Sequence, residues 1–599
     1  MIGFKEIRRM DRCMLKLFRF TAILKHRYSD FIVHEVRLDG SVVKLDNLQE
    51  PERHVPDKEA AWKCLKEMLS EETVAQLHRI LVVSEIESLR LPTEGDKQRR
   101  KSIHDALKAF PVSTETATNG DGSKSIVLFR KKARSDDQSG SVNRKRRRNT
   151  DFPKGAYTSF VLYKENTDTN EAISRLSGML RTSPKHFFFA GTKDKRAVTS
   201  QEMRIKGFGP SRLAALNKGL RSGQMALGNF STAQLSEPLL LGQLSGNQFT
   251  ILLRGIDEAT TPETISQAVN SMKKAGFINY FGLQRFGGGR NPTHKVGIQL
   301  LAGNIRKAVE MILEPLDPSL GDPNSSINPK RAETNKALAD YLAGNISASD
   351  AVEKIPQWMN VERTILSSYA QKGAEKDHRR AFGALPYTLR MMYMHAVQSY
   401  FWNTMATARA KGGRLDFAEE GDLVYEDRDG VETNAEATEQ DDRPARSVRK
   451  VTAEEAGSNG VPIGDVVLPL IGEKVDAPGG PVGAAVKELV ERLNIDLSKP
   501  IDKGLGFRAY GSYRRLIGSP KDVKYEIVRH ETDDEEILLT DRREMSGERQ
   551  GGGVGEKCAL KIQFSLESAE YATMCLRELT KQESTALMQK TVLKRSSIE

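Results

Sequence analysis

The segment from residue 186 to residue 206 constrains the fold most, because it places a charged loop between two stretches that look like strands. Residues 186–190 are mainly apolar, as in a buried strand, and residues 200–206 alternate between apolar and polar side chains. Between them, residues 191–201 hold a single carboxylate, Asp194, in a run of cations. We therefore predict a sheet that presents Asp194 on a connecting loop.

This loop has the composition that a nucleophilic aspartate near a polyanion requires. An aspartate that attacks carbon must be ionised, and Lys193, Lys195 and Arg196 would favour the ionised form because opposite charges in contact stabilise it. Catalytic groups are also common on loops held by a rigid scaffold. Taken alone, however, Gly-Thr-Lys-Asp is more often a solvated turn, since glycine and aspartate are ordinary turn residues.

A second motif, NYFGLQRFG at residues 279–287, changes that balance. It combines aromatic rings with a guanidinium and two amides, which suit a base that has left its stack. By itself the motif is equally typical of a structural aromatic turn with a solvated arginine. Together with the Asp194 loop, it indicates chemistry on RNA.

The chain resembles the eukaryotic branch of the TruD family of pseudouridine synthases. The match rests on motifs that occur in the family's order and extend, with insertions, over about residues 21–580. The motifs are ILKHRYSDFIVHE at 23–35, LYKENTDT at 162–169, GTKDKRAVTSQ at 191–201, NYFGLQRFG at 279–287, MHAVQSYFWN at 394–403 and GFRAYGSYRR at 506–515.

The resemblance assigns roles to individual positions. Asp194 matches the family's catalytic aspartate, and Lys25 matches an active-site lysine near that carboxylate. Phe31 matches an aromatic residue packed by the site, Phe281 the ring that lies against the target uracil, and Asn279 a neighbouring polar residue. The remaining candidates for RNA contact are Gln284, Arg285, Lys193, Arg196, Arg508 and Arg514.

Residues 507–515 interleave aromatic rings with arginines, including Arg508 and Arg514, a composition suited to gripping looped or single-stranded RNA. The alternative is an edge strand with its arginines in solvent.

The resemblance implies an α/β (α+β) fold, with a catalytic domain built on a mixed sheet flanked by helices and an inserted, helix-rich accessory domain. The predicted division is a leader at 1–20, a catalytic domain from 21–44, 151–290 and 505–580, an insertion with helices and a basic linker at 45–150, an accessory domain at 291–504 and a tail at 581–599.

Periodicity adds local predictions. Residues 58–83 have helical spacing, residues 170–181 form a helix with Thr169 as its N-cap, and residues 560–566 form a strand before a helix capped by Ser568. Further helices are predicted at 302–313, 335–343 and 389–410.

The implied reaction needs no cofactor. The uracil N1 to ribose C1′ bond breaks, the base rotates, and C5 joins C1′ with loss of the C5 proton. Asp194 has three routes open to it: attack at C1′, addition to C6, or deprotonation at C2′. The resemblance implies uridine at tRNA position 13 as substrate, with other tRNA sites, spliceosomal RNA and messenger RNA as further substrates. A catalytically silent RNA-binding protein is the alternative, although such a descendant would be expected to lose Asp194 or Lys25.

Whole-chain properties agree with an RNA enzyme. Ninety-one Lys plus Arg against eighty Asp plus Glu give the 599-residue chain a net charge of +11, which favours phosphate backbones. No apolar run is long enough for a membrane span, and four cysteines without paired spacing predict neither a zinc site nor a disulfide framework. We expect a monomer without a metal.

Localisation is predicted from two basic segments. The run RKRRR at residues 144–148 is typical of nuclear import or of a solvated linker, so we expect the nucleus and the cytoplasm. The first twenty residues match nothing in the family pattern. Their basic character leaves a mitochondrial presequence as an alternative, as does a truncated start.

Overall fold

The structure is a computed structural model, and it describes residues 20–50, 58–83, 88–92, 97–107, 109–110, 112–118, 124–130, 152, 155–220, 224–231, 235–287, 291–315, 329–357, 359–373, 376–426, 446–497 and 510–580. Some of the predictions concern residues outside these ranges. They are the leader up to residue 19, the basic run at 144–148, Arg508 and the tail at 581–599.

Strands account for much of the described chain. In chain order they are β1 (Phe31–Val36), β2 (Ser88–Pro92), β3 (Val112–Thr118), β4 (Lys124–Arg130), β5 (Tyr157–Glu165), β6 (Phe187–Phe189), β7 (Val198–Lys206), β8 (Met225–Gly228), β9 (Gly246–Leu253), β10 (Phe277–Ile278), β11 (Leu423–Tyr425), β12 (Val448–Lys450), β13 (Val466–Leu470), β14 (Ser512–Arg515), β15 (Ile517–Gly518), β16 (Lys521–His530) and β17 (Lys557–Glu567). The predicted strand pair around the charged loop is therefore confirmed as β6 and β7.

The main sheet has eight strands in the order β16-β17-β9-β1-β7-β5-β8, with β6 also paired to β7. Its neighbouring strands are antiparallel except for the central pair, because β1 runs parallel to β7 with Ile32 opposite Val198. Parallel strands begin at the same edge of a sheet. The segments that precede β1 and β7 therefore come together at one edge.

Three smaller sheets complete the strand pairing. Strands β2, β4 and β3 form an antiparallel sheet with its own apolar core, and β10 pairs with β15. The third sheet has the order β12-β11-β13-β14, so β14 is an edge strand, as one of the two readings of residues 507–515 predicted. Strand β14 joins the chain after residue 510 to the segment Val466–Leu470.

The described α-helices all follow β1 along the chain, and most of them lie between the later strands. They are Lys58–Met68, Glu71–His78, Lys97–Leu107, Thr169–Leu180, Pro210–Ala214, Pro262–Ala275, Thr293–Leu301, Ile305–Leu313, Pro329–Leu342, Ala348–Lys354, Asn360–Tyr369, His378–Gly383, Tyr387–Gly412, Ala453–Gly457, Gly480–Leu493, Asp541–Met545 and Ala572–Thr580. Together with the mixed main sheet, they confirm the predicted α/β fold class. Within the described residues, no helix is both long enough and apolar enough to cross a membrane.

Helices pack against one face of the main sheet because the side chains on that face are apolar. Leu176 of the helix Thr169–Leu180 packs with Phe160 of β5 and Met203 of β7. Another cluster joins Phe31 of β1 to the ring of Phe281 and to residues of the helix Tyr387–Gly412. Phe31 and Phe281, which come from two of the sequence motifs, thus belong to the same apolar core.

Three local predictions were wrong in detail. Asp168, not Thr169, caps the helix Thr169–Leu180, because its carboxylate accepts from the backbone N–H groups of the first turn. Ser568 does not cap the last helix, which begins at Ala572. The helix predicted at 302–313 starts at Ile305 and follows a separate helix, since Gly303 has a φ of +77° that ends the first one.

Candidate active site

Lys25 and Asp194 meet at the edge where β1 and β7 begin. The ammonium Nζ of Lys25 donates to Asp194 Oδ2 at 2.7 Å, across 169 residues of sequence. The parallel pairing of the two strands explains the contact, because it brings their preceding loops side by side. The Asp194 side chain keeps 35% of its surface exposed, so the carboxylate is both paired and accessible.

The conformation of Lys25 is itself unusual. Its φ of +55° lies in the left-handed region, which is strained for a residue with a side chain. Its ammonium also lies 3.8 Å from the ring centre of Phe31, a cation–π contact. Phe31 is buried in the core, and the lysine ammonium packs on its ring. The lysine is therefore held between an aromatic ring and a carboxylate.

The three cations beside Asp194 in sequence have other partners in space. Lys193 is buried and pairs with Glu35 at 2.7 Å, whereas Lys195 pairs with Glu171 at the surface. Arg196 donates to the backbone carbonyls of Lys25 and His26 at 2.8 and 3.1 Å. Arg196 thus stabilises the loop that carries Lys25. Lys193 forms a buried ion pair with Glu35.

Three buried side chains hold the Asp194 loop from beneath. Lys164 of β5 donates to the carbonyls of Lys193 and Asp194, both at 3.3 Å. Thr169 accepts from the Lys193 N–H at 3.1 Å, and Gln201 of β7 donates to the Gly191 carbonyl at 3.0 Å. The predictions from sequence assigned no role in the site to Lys164, Thr169 or Gln201. A lysine directly after the apolar run at residues 160–163 was the available signal for Lys164.

The second motif forms a cluster around Phe281. Both backbone polar groups of Phe281 are bound by one side chain, since Asn403 Oδ1 accepts from its N–H at 2.9 Å and Asn403 Nδ2 donates to its carbonyl at 3.0 Å. Asn403 is fully buried on the helix Tyr387–Gly412. The ring of Phe281 meets those of Trp402 and Tyr571 edge-on, with centres 5.7 and 6.0 Å apart.

Arg514 lies inside this cluster rather than in solvent. Its guanidinium donates to the Asn279 carbonyl at 2.9 Å and to the Ala569 carbonyl at 2.8 Å. Its guanidinium carbon lies 4.1 Å from the centre of the Phe281 ring. Burial lowers the pKa of Arg514 to about 10, which leaves it charged at neutral pH. The solvent-exposed reading of this arginine was therefore wrong.

The other candidates in the motif differ in accessibility. Gln284 is exposed, and Arg285 is half-buried with its guanidinium carbon 5.6 Å from the Phe281 ring centre. Asn279 is buried, and its Nδ2 donates to the Arg515 carbonyl at 3.3 Å. The Phe281 ring is only 3% exposed, so a base can stack on it only if neighbouring side chains move.

A comparison with known protein families covers the part of the chain that contains Asp194 and Phe281. The family model for tRNA pseudouridine synthase D (TruD) matches residues 139–579, which is most of the chain. The chain belongs to the TruD family of pseudouridine synthases. It is therefore a pseudouridine synthase that acts on RNA.

Curated relatives are similar to this chain over most of its length. The human Pseudouridylate synthase 7 homolog is 34% identical, over 94% of this chain and 79% of the relative. Multisubstrate pseudouridine synthase 7 of Schizosaccharomyces pombe is 29% identical, over 93% of this chain and 87% of its own. Pseudouridylate synthase PUS7L of Mus musculus is 30% identical, over 88% and 71%.

The carboxyl group of Glu570 lies near Arg514 in the aromatic cluster. Burial raises the pKa of Glu570 to about 7, and the charge of Glu567 acts in the same direction, whereas that of Arg514 opposes it. The charge that Arg514 experiences thus changes near neutral pH. Within the described part of the chain, no three His, Cys, Asp or Glu side chains are grouped so that they could hold a metal ion.

Proposed function

We propose that this pseudouridine synthase modifies uridine in tRNA and uses Asp194 as its nucleophile. The observation that carries the proposal is the 2.7 Å contact between Lys25 Nζ and Asp194 Oδ2 at the partly exposed edge of the main sheet. An adjacent ammonium stabilises a carboxylate in its charged form. The pair therefore supplies an ionised, accessible nucleophile without an added group.

The reaction balances without a co-reactant. The N1–C1′ bond breaks, the C5–C1′ bond forms, the C5 proton leaves to solvent, and N1 takes up one proton. Asp194 attacks C1′, adds to uracil C6 or removes the C2′ proton, and each route begins with the ionised carboxylate. Lys25 keeps the carboxylate charged and oriented before the substrate arrives.

The target uridine has to leave its stack to reach Asp194. Extrusion costs a few kcal/mol, and stacking on Phe281 returns about 1–3 kcal/mol. Since Phe281 is buried between Arg514, Trp402 and Tyr571, the ring becomes available only when its surroundings adjust. Gln284 and Arg285 follow Phe281 closely in sequence and are less buried, which supports the proposal that they contact the incoming nucleotide.

The proposed substrates are uridine 13 of tRNA, further tRNA sites, spliceosomal RNA and messenger RNA. The word multisubstrate in the name of the Schizosaccharomyces pombe relative supports a range of RNAs rather than one. We further propose that the enzyme acts as a monomer in the nucleus and the cytoplasm. The Lys25–Asp194 pair supports the monomer, because one chain supplies both partners.

Tritium release from [5-³H]uridine-labelled tRNA transcripts tests the proposal. The wild-type protein should release tritium and leave pseudouridine at a mapped position, whereas Asp194→Asn, which keeps the shape of the side chain, should release none. Asp257→Asn is the matched control, since Asp257 is exposed on the loop after β9. Release by Asp194→Asn at the wild-type rate would rule out the nucleophile. Binding without release by the wild type would favour the RNA-binding alternative or a substrate outside the tRNA set.

A further inference from the structure

Lys164 is a charged side chain with no access to solvent. It lies on β5 with 0% of its surface exposed, and its ammonium donates to three backbone carbonyls: Thr167 at 2.9 Å, and Lys193 and Asp194 at 3.3 Å. An ammonium has three protons to donate, so these contacts use all of them. Two of the three carbonyls belong to the loop that carries the nucleophile.

This arrangement differs from that of the other cations near the loop. Lys193 is neutralised by Glu35, and Lys25 contacts the Asp194 carboxylate directly from the neighbouring loop. The charged groups that act on Lys164 are Asp168 and Asp194, which stabilise its charge, and Lys193, which opposes it. A buried cation held only by carbonyls interacts strongly with a nearby carboxylate, since little water screens it.

We propose that Lys164 is a positioning residue for the reaction: its buried ammonium fixes the two backbone carbonyls that flank the Asp194 Cα and so holds the Asp194 side chain at the edge of the main sheet, where Lys25 contacts it from the side. This inference rests on the proposed role of Asp194. Lys164 touches neither the RNA nor the reacting atoms, so it acts on turnover and not on binding.

The ionisation of Lys164 agrees with this role. Burial lowers its pKa to about 8, and the charges of Asp168 and Asp194 act against that decrease. The ammonium is therefore mostly protonated at neutral pH, as the three hydrogen bonds to carbonyls require.

Two substitutions test the hydrogen bonds of Lys164. Lys164→Met removes all of them, whereas Lys164→Gln keeps two N–H donors for the carbonyls. The measurement is kcat and KM for tritium release, together with Tm. In Lys164→Met, kcat at pH 7 should fall about 10-fold or more while KM for RNA stays unchanged. Lys164→Gln should give a kcat between those of Lys164→Met and the wild type, because its amide still donates to the loop.

Two controls separate loop positioning from lost stability. Thr169→Val removes another anchor of the same loop, so it should also lower kcat without changing KM. Leu213→Ala, a buried residue of the helix Pro210–Ala214, should lower Tm without lowering kcat. If Lys164→Met does not fold, Lys164→Gln carries the test.

Two results would overturn the inference. A kcat at the wild-type value in the Lys164 variants would remove the positioning role, and a higher KM for RNA in place of a lower kcat would show that Lys164 acts on binding. Inactivity of the wild type itself would instead count against the proposed function, so the two failures are distinguishable.

Discussion

At the scale of single residues, the Phe281 ring is held by groups that are not themselves at the surface. Asn403 fixes its backbone, and the Arg514 guanidinium lies 4.1 Å from its centre. A charged group against an aromatic face that is removed from water strengthens the contact and orients the ring. Phe281 is thus oriented by its surroundings before any base reaches it.

Replacing Phe281 tests whether the ring serves turnover or binding. Phe281→Ala should lower kcat about 10- to 100-fold, since base–aromatic stacking contributes about 1–3 kcal/mol and each 1.4 kcal/mol is tenfold in rate. RNA affinity should change little, because phosphate contacts dominate it. Gel-shift titration and tritium release measure the two quantities. Phe208→Ala is the matched control, because Phe208 also lies beneath a guanidinium, that of Arg212. An unchanged kcat for Phe281→Ala would remove the ring from the site.

A lone carboxylate among cations and a crowded aromatic motif drew attention to Asp194 and Phe281 in the sequence, and the resemblance to the family assigned their roles. Lys164 and Asn403 were not selected as site residues. Their polar atoms are bound to backbone groups 29 and 122 residues away, so their roles exist only once distant segments are packed together. A lysine next to an apolar run indicates burial, but the local sequence does not indicate which backbone groups the lysine binds.

At the scale of elements, the helix Tyr387–Gly412 links the aromatic motif to the helical region that precedes it. Its residue Asn403 binds the Phe281 backbone, and Thr407, one turn further on, contacts the Tyr280 hydroxyl at 3.2 Å. The earlier part of the same helix contributes Met394 to the core shared with the helices Thr293–Leu301 and Ile305–Leu313. The aromatic motif and those helices are therefore connected through a single helix.

Asn403→Ala tests this link. The change leaves the N–H and the carbonyl of Phe281 buried without their partner, which costs about 1–3 kcal/mol for each group. We expect a lower Tm and a kcat reduced about 10-fold, with KM nearly unchanged. Thr404→Ala on the same helix is the control, since Thr404 Oγ1 donates back to the Tyr400 carbonyl.

The double variant Asn403→Ala/Phe281→Ala separates positioning from general destabilisation. If Asn403 acts through the ring, the double variant should be no slower than Phe281→Ala alone, because the two changes then remove one function. Fully additive losses in kcat would contradict the proposed coupling.

Periodicity predicted most elements but not how they pair. The strand at residues 560–566 and the helices near 170–181 and 389–410 were confirmed, because each has an alternating or helical pattern within its own length. The parallel pairing of β1 with β7, which builds the site, joins residues 166 positions apart and leaves no local signal. The wrong N-cap at Thr169 arose because Asp168 and Thr169 are both good caps, and the Thr169 hydroxyl is used by the Asp194 loop instead.

At the scale of the whole molecule, the balance of charge and the chemistry of the reaction predict independence from metal ions. Pseudouridine formation transfers no electron and no phosphoryl group, so it needs no metal to accept either. The cations at the proposed nucleophile are supplied by the chain, through Lys25 at 2.7 Å and Lys164 beneath the loop. The net charge of +11 favours the long-range attraction of RNA.

Activity should therefore survive EDTA. The test is tritium release from a short, unstructured RNA that contains the target uridine, because such a substrate does not need magnesium to fold. The rate with EDTA should stay within about twofold of the rate with magnesium, whereas a metal-dependent mechanism would lose most of its rate. A full-length tRNA measured in parallel reports the separate effect of magnesium on RNA structure. Loss of activity on the short RNA, restored by adding back one divalent metal, would show that the carboxylate and the two lysines are not sufficient. It would place a metal at the reacting uridine.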